Sequence, residues 1–125
     1  MSNKKIFLDA FFDQFNQFLK ELNRLYPNDS DFPTFLTTLS LMKTANPMLV
    51  VKFVKNDIID IYGDKIDVKD ESFFMNRSFE EHKEDVDMDI ISKLKSYISD
   101  MPPTTKDSVW AYIQILKKLC LACLQ

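Results

Sequence analysis

The chain contains a single glycine, Gly63, among its 125 residues. Tight β-hairpin turns need residues that accept a positive φ, and loops that cradle phosphate need several glycines. One glycine therefore argues against a tight-turn all-β fold and excludes a Gly-rich phosphate loop. Hydrophobic residues make up 46% of the chain, which is enough for a folded core without disulfides or metal.

The segment from Lys4 to Tyr26 has the periodicity of an amphipathic helix. Its apolar positions recur every three or four residues, at Phe7, Phe11, Phe15, Phe18, Leu22 and Leu25. Acidic side chains near its start and basic side chains near its end suit the helix dipole. Pro27 ends the segment, because the residue before a proline disfavours helical geometry.

Two further helices are predicted before the glycine. Asp29 to Asp31 offer N-cap oxygens for the second helix, and Pro33 fits its first turn. The third helix begins at Asn46-Pro47 and is expected to run to about Tyr62, with Gly63 as its left-handed C-terminal residue. Its expected inward positions are Val50, Val51, Val54, Ile58, Ile61 and Tyr62.

The second half of the chain predicts two more helices, which Pro102-Pro103 separate. The fourth covers about Met88 to Ser99. Its inward positions are Ile91, Leu94 and Ile98. Thr104 and Asp107 resemble a capping box at the start of the fifth helix, with Asp in place of the usual Glu. The apolar stripe of the fifth helix is Val109, Ile113, Leu116, Cys120 and Cys123.

Residues 64–87, approximately, are predicted to form a long irregular acidic connection between the third and fourth helices. The sequence therefore predicts one all-α domain over residues 1–125, as a five-helix bundle or an orthogonal array. Residues 57–89 carry twelve acidic and four basic side chains, and the remainder carries seven acidic and twelve basic. The acidic stretch either docks on the chain's own basic helices or stays solvated, and charge runs usually have one of these two roles. The alternative is that it binds a basic partner.

No catalytic residue, cofactor or metal ligand is predicted. Cys120 and Cys123 have a spacing found in redox and zinc motifs, but zinc needs two more ligands and a redox thiol needs a helix N-terminus. We expect both to be packed small residues. His82, the only histidine, stands among charged residues and is expected to be solvated. The chain is not expected to be an enzyme.

Several apolar or aromatic residues are candidate contacts for a partner: Phe73, Phe74, Trp110, Tyr112, Leu121 and Leu124. Trp110 and Tyr112 lie about 200° apart on the fifth helix, so one should face away from the core unless a neighbouring helix covers it. The end of this helix is apolar on several faces, which predicts self-association or capture of a partner through Leu121 and Leu124. The alternative is a central fifth helix that the other helices surround.

Three stretches of the chain form a recognisable pattern: Leu39–Pro47, Lys69–Phe74, and Lys93–Lys95 followed by Val109–Gln114. This pattern resembles a group of small uncharacterised proteins of nucleocytoplasmic large DNA viruses, including algal viruses. The resemblance covers about Phe11 to Leu119, and its motifs are structural rather than catalytic. It implies a viral protein that acts in the host cytoplasm or is packaged in the virion, and it carries no catalytic residues.

These features predict a non-enzymatic viral interaction protein or virion-associated protein that acts through helical surfaces. The alternative is a nucleic-acid-associated accessory factor whose basic helices bind phosphate. A protein partner or a second copy is favoured, because the Lys and Arg residues are scattered and form no basic helix. The longest apolar runs are too short to cross a membrane, so no membrane span is expected.

Overall fold

The computed structural model describes residues 3–70, 93–94 and 97–125. These residues form helices and turns, with no strand among them, which confirms the predicted all-α fold. The helices are α1 (Asn3–Leu25), α2 (Asp31–Ala45), α3 (Pro47–Val54), α4 (Asp60–Asp67) and α5 (Pro103–Cys123). A π-helical segment, Lys55–Ile59, joins α3 directly to α4.

The predicted count of five helices is confirmed only in part. Because α3, the π-helical segment and α4 form one continuous run, the described residues contain four long helical runs. Residues 93, 94, 97 and 98 are also helical, and they fall within the fourth helix predicted over 88–99. Leu94 and Ile98 are buried as expected. Ile91 and residues 71–87 of the predicted connection lie outside the described residues.

Helix α1 supplies an aromatic wall of the core. Its buried side chains are Phe11, Phe12, Phe15, Phe18, Leu19 and Leu22. The Phe11 ring meets Phe12 and Phe15 edge to face, with centroid separations of 5.5 and 5.9 Å. Such arrangements are favoured because the positive edge of one ring faces the negative face of the other.

Helix α5 lies antiparallel to α1 on one side. Phe18 and Tyr112 stack near the middle of both helices, with ring centroids 5.1 Å apart. Arg24, at the end of α1, shares a cleft with Thr104 at the start of α5. The side of α5 that carries Tyr112 therefore packs against the aromatic wall.

The other side of α5 packs against the run from α3 to α4. The Cys120 thiol donates to the carbonyl oxygen of Val51 at 3.3 Å, and the Gln114 amide donates to that of Ile66 at 3.1 Å. These contacts set the run antiparallel to α5. Helix α5 thus lies between α1 and the α3–α4 run.

The π-helical segment overturns one predicted inward position of the third helix. The Asp60 N–H bonds to the carbonyl of Lys55, five residues earlier, so this turn holds more residues than an α-helical turn. The extra residue brings Ile59 and Ile66 to the core and turns Ile61 outward, where it is 53% exposed. The expectation that Ile61 faces inward is wrong, because it assumes an unbroken α-helical period.

The predicted end of this run at Gly63 is also wrong. Gly63 lies inside α4 without a positive φ, and the left-handed residue is Lys69, with φ of 56°. The Lys69 N–H bonds to the Ile66 carbonyl at 3.2 Å, and the Asp70 N–H bonds to the Lys65 carbonyl at 2.9 Å. These paired bonds form a Schellman C-cap, so the first residues of the predicted irregular connection are helical.

The capping box predicted for the fifth helix is not formed. Helix α5 begins at Pro103, and Pro102 occupies the N-cap position in an extended conformation, with ψ of 154°. Proline suits the first helical position because no N–H donor is needed there. Thr104 therefore lies inside the first turn instead of capping it.

Candidate functional site

A group of polar side chains lies where the α1–α2 turn meets Lys93 and Tyr97. The Tyr97 hydroxyl donates a hydrogen bond to Oδ2 of Asp29. The Lys93 ammonium lies 3.2 Å from the same oxygen and 2.6 Å from Oδ2 of Asp31. We call Asp29, Asp31, Lys93 and Tyr97 the Asp29 cluster.

The α1–α2 turn orients the first carboxylate of this cluster. Oδ1 of Asp29 accepts the N–H of Asp31 at 3.0 Å, which is an Asx turn that leaves Oδ2 for Lys93 and Tyr97. Ser30 occupies the N-cap position of α2 without a side-chain hydrogen bond. The predicted capping oxygen is therefore that of Asp29, and it binds the first N–H of α2.

The ring of Tyr97 packs against two other aromatic rings. Its ring stacks on Tyr26, with centroids 3.9 Å apart and planes at 16°, and it lies 6.2 Å from the ring of Phe32. An open cleft of about 530 Å³ lies beside these rings. It is lined by Leu25, Tyr26, Pro27, Asn28, Asp29, Ser30, Asp31 and Tyr97.

The charged groups of the Asp29 cluster stabilise one another. The hydrogen bond from Tyr97 holds the pKa of Asp29 below its usual value, and the bond to Asp31 raises the pKa of Lys93. The bond to Asp29 raises the pKa of Tyr97, and burial raises the pKa of Tyr26. Every shift moves a pKa away from neutrality, whereas a general acid or base works best with a pKa near the operating pH. The cluster is suited to holding the turn against the helical residues 93, 94, 97 and 98.

Sequence reasoning missed this cluster. It treated Asp29 and Asp31 as caps and assigned no role to Lys93 or Tyr97. The hydrogen-bonded partners lie 68 positions apart, so no local spacing indicates the pair. The one local signal is that Lys93 and Tyr97 are four residues apart, which places them on the same face of a helix.

The two aromatic residues named as contacts on α5 are covered by neighbouring helices to different degrees. Trp110 is 3% exposed and belongs to the core. Tyr112 is half-buried and stacks on Phe18 of α1. Their opposite directions are accommodated because α5 has a packed layer on each side.

Of the other residues predicted to contact a partner, the structure describes only Leu121 and Leu124. Leu121 and Leu124 are half-buried against the core at the end of α5, so part of each side chain remains in solvent. Phe73, Phe74 and His82 lie outside the described residues. The prediction of a contact through the last two turns therefore stays a prediction.

The two cysteines are interior residues. Cys120 and Cys123 are 0% and 1% exposed. Burial raises the pKa of both thiols, that of Cys120 to about 12. Since the thiolate is the reactive and metal-binding form, these positions fit the expectation of packed small residues.

Acidic side chains near α4 pair with the chain's own lysines. The pairs are Lys55–Asp60 at 2.5 Å, Lys117–Asp67 at 2.6 Å and Lys65–Asp70 at 3.8 Å. Among these pairs, Lys117–Asp67 joins the acidic stretch to a separate helix, which supports internal docking at that point.

A small apolar cavity of about 40 Å³ lies beside the π-helical segment. Its lining is Phe15, Phe18, Val54, Ile58, Ile59, Ile66, Ile113, Leu116 and Lys117. Ligand pockets in proteins usually enclose about 300 Å³ or more, so this cavity is a packing gap rather than a cofactor site.

In the described part of the chain, no helix has the length and apolar character needed to cross a membrane. Nor do three His, Cys, Asp or Glu side chains of these residues group around a possible metal position. No protein-family model, curated protein or solved structure matches the chain.

Proposed function

We propose that the chain is a non-enzymatic interaction protein of a large DNA virus, which binds a protein partner or a second copy of itself through the outer faces of its helices. One observation carries the proposal: large aliphatic side chains stand in solvent on several different helices. Ile6, Leu41, Ile61, Val68 and Ile115 are 65, 64, 53, 72 and 41% exposed, respectively.

Exposed aliphatic side chains support binding rather than chemistry. They supply no acid, base or nucleophile, but their transfer out of water is favourable by about 25 cal/mol per Å² of apolar surface. Several polar groups, in contrast, are engaged within the chain. The Asp29 cluster joins two segments, and Lys55 and Lys117 each bind a carboxylate of α4.

The viral part of the proposal rests on the resemblance of the three stretches described above. On the same basis, the site of action is the host cytoplasm or the virion. In either place we expect a small helical interaction protein to act by holding other proteins in contact.

The proposed surfaces belong to a five-helix bundle, in which the helix predicted over 88–99 is the fourth. The helical residues 93, 94, 97 and 98 support this count. Leu94 and Ile98, at 0% and 1% exposure, support its packing on the core, and the Asp29 cluster ties it to the α1–α2 turn.

The experiment that tests this function is affinity purification of the tagged chain from infected cells, together with mass spectrometry of the purified virion. We expect a defined protein partner whose binding resists moderate salt, because the exposed side chains are apolar. Binding to phosphate would instead weaken steeply as salt rises. Recovery of nucleic acid alone, with that steep salt dependence, would contradict the proposal and favour the accessory-factor alternative.

The contact can be mapped with variants of the same five exposed residues. Each is replaced by Lys in turn, which places a charge on the surface without disturbing the core. Loss of the partner in one variant and its retention in the other four would identify the binding face.

A further inference from the structure

The first turn of α1 has no buried side chain. Lys4, Lys5 and Ile6 are all exposed, and the first buried residue of the helix is Phe11. Helical side chains tilt toward the start of their helix, so these three lean away from the packed core. Ile6 is 65% exposed. An aliphatic side chain and two lysines therefore project together from this end of the bundle.

The lysines of this turn oppose the preference of the helix. The start of a helix carries a partial positive charge, so acidic side chains are favoured there and lysines are unfavourable. The first turn of α1 contains no acidic residue. Lys5 bonds to Asp9 at 2.9 Å, but both side chains are exposed, and an exposed ion pair contributes little stability. Helix stability therefore does not explain Lys4 and Lys5, and a broken local rule of this kind points to a function.

The ends of α2 and α5 add a lysine and an aliphatic residue to the same end of the bundle. Lys43, in the last turn of α2, lines a cleft beside Asp13 of α1. Burial raises the pKa of the Cys123 thiol, and the nearby Lys4 ammonium opposes this rise. Leu124, the next residue, is half-buried against the core. The surface, which we call the basic end, consists of Lys4, Lys5, Ile6, Lys43 and Leu124.

The basic end carries a local positive charge, although the whole chain has a net charge of −3. Its three lysines stand against one adjacent carboxylate, that of Asp9. The hydrogen bond from Lys5 lowers the pKa of Asp9, and the charge of Lys43 lowers it further. Within the described part of the chain, neither Lys4 nor Lys43 forms an ion pair. Their ammonium groups are therefore available to an anionic partner.

The exposed aliphatic side chains select among anionic partners. Nucleic acid is bound through its phosphates and by aromatic rings that stack on its bases, and an exposed isoleucine adds to neither contact. An acidic protein would need a pocket shaped for Ile6. At a fluid lipid surface, lysines attract anionic headgroups and aliphatic side chains enter the headgroup boundary without a matching shape. A projecting turn with Ile6 beside two lysines therefore fits an anionic membrane best.

We propose that the basic end docks on the surface of an anionic lipid membrane, with Ile6 among the headgroups and the lysines bound to their anionic groups. This inference goes beyond the proposed function, because the partner is a lipid surface and not a protein. Each lysine near an anionic surface strengthens binding about fivefold, so three lysines contribute about a hundredfold. The bound state is weak, reversible and sensitive to salt, since it rests on few charges and few aliphatic groups.

Co-sedimentation of the full chain with lipid vesicles tests the docking. Binding to phosphatidylcholine vesicles that contain about 30% phosphatidylserine should be at least tenfold stronger than binding to phosphatidylcholine alone. It should weaken as NaCl rises from about 50 to about 500 mM, because salt screens exposed charges. A wild type that binds neither vesicle, or both equally, would overturn the inference.

Two double variants locate the contact. Lys4→Gln with Lys5→Gln should weaken vesicle binding about 25-fold, which is about fivefold for each lysine. Lys20→Gln with Lys69→Gln is the matched control, since it removes two exposed lysines outside the basic end and changes the net charge equally. We expect the control to bind almost as the wild type does. Equal losses in the two double variants would show that net charge, and not the basic end, governs binding.

A fluorophore that responds to its surroundings, attached through Ile6→Cys, tests the insertion. The native Cys120 and Cys123 are buried and do not take the label. Vesicles that contain phosphatidylserine should shift the emission to shorter wavelength, because the label leaves water. The same label at Ile61→Cys, a similarly exposed position on α4, should show no shift. Equal shifts at both positions would contradict the proposed orientation. Binding of duplex DNA as strongly as these vesicles would favour a general polyanion site and overturn the lipid assignment.

Discussion

Tyr97 donates a hydrogen bond to Asp29, 68 positions earlier in the chain, and its ring stacks on that of Tyr26. The bond has an ionised acceptor and so belongs to the stronger class of protein hydrogen bonds. It joins the turn between α1 and α2 to the helical residues that precede α5. Lys93 reinforces the junction, because its ammonium contacts carboxylates on both sides of Ser30.

Tyr97→Phe should lower the free energy of unfolding by about 1–2 kcal/mol, because it removes the hydrogen bond to the charged acceptor and keeps the stacked ring. Urea denaturation measures the change. Tyr112→Phe is the matched control, since it also removes one hydroxyl and keeps a ring stacked on Phe18. We expect the control to lose less, and equal losses would contradict a stabilising role for the bond to Asp29.

Acid should weaken the fold through Asp29. The hydrogen bond from Tyr97 lowers the pKa of Asp29, so the folded state favours the carboxylate. This contribution is fully present above the unfolded pKa of about 3.9, and it is lost as the pH falls through the lower folded pKa. We expect the melting temperature to decrease as the pH is lowered below about 4. The Asp29→Asn variant should show a smaller decrease over the same pH range.

Thermal melts between pH 2.5 and pH 7, approximately, check this dependence. Asp64→Asn, which changes an exposed aspartate of α4, is the control and should keep the wild-type acid slope. An unchanged slope in Asp29→Asn would show that other carboxylates dominate the acid response.

Local physical chemistry predicts much of this fold. The phenylalanine spacing of α1 follows from helical geometry, and Pro47 marks the start of α3, because proline suits the first helical position. The π-helical segment is different, since it depends on how Ile59 and Ile66 fit against α5 rather than on any local preference. The Asp29 cluster is equally non-local, because Tyr97 meets Asp29 only after the helices have packed.

The end of α4 shows how a reasonable local rule can select the wrong residue. Glycine is the usual left-handed residue after a helix, so this rule favours Gly63. The chain instead buries Ile66 one turn later, and the gain from that burial extends the helix to Asp67, with Lys69 as its left-handed residue. Core packing thus overrode a backbone preference of about 1 kcal/mol.

Gly63→Ala should raise the free energy of unfolding by about 0.5–1 kcal/mol, because alanine is the better residue inside a helix. A Cβ at this position would lie 3.6 Å from Cε of Lys117 and 3.8 Å from Cγ2 of Ile59, which are ordinary contact distances. Urea denaturation measures the gain. A loss of stability would mean that the Cβ clashes with the aliphatic part of the Lys117 side chain.

Lys69→Gly should also stabilise the fold. Lys69 has φ of 56°, a conformation that costs about 1–2 kcal/mol for a residue with a Cβ. Glycine removes that strain and adds about 0.5–1 kcal/mol of backbone entropy cost, so we expect a net gain of about 0–1.5 kcal/mol. Lys69→Ala separates this effect from that of the charge, because it removes the ammonium and keeps the Cβ. If alanine stabilises as much as glycine, the gain does not come from the backbone.

Neither native thiol should react with a disulfide reagent such as Ellman's reagent while the chain is folded. Cys120 is 0% exposed, and burial raises the pKa of its thiol to about 12, so about one molecule in ten thousand carries the thiolate at pH 8. Two equivalents should react in urea, where both cysteines are exposed. Leu41→Cys is the positive control, because the replaced side chain is 64% exposed and its thiol should react promptly in the folded chain. Reaction of Cys120 or Cys123 at the rate of this control would contradict their packed positions and restore the redox interpretation of their spacing.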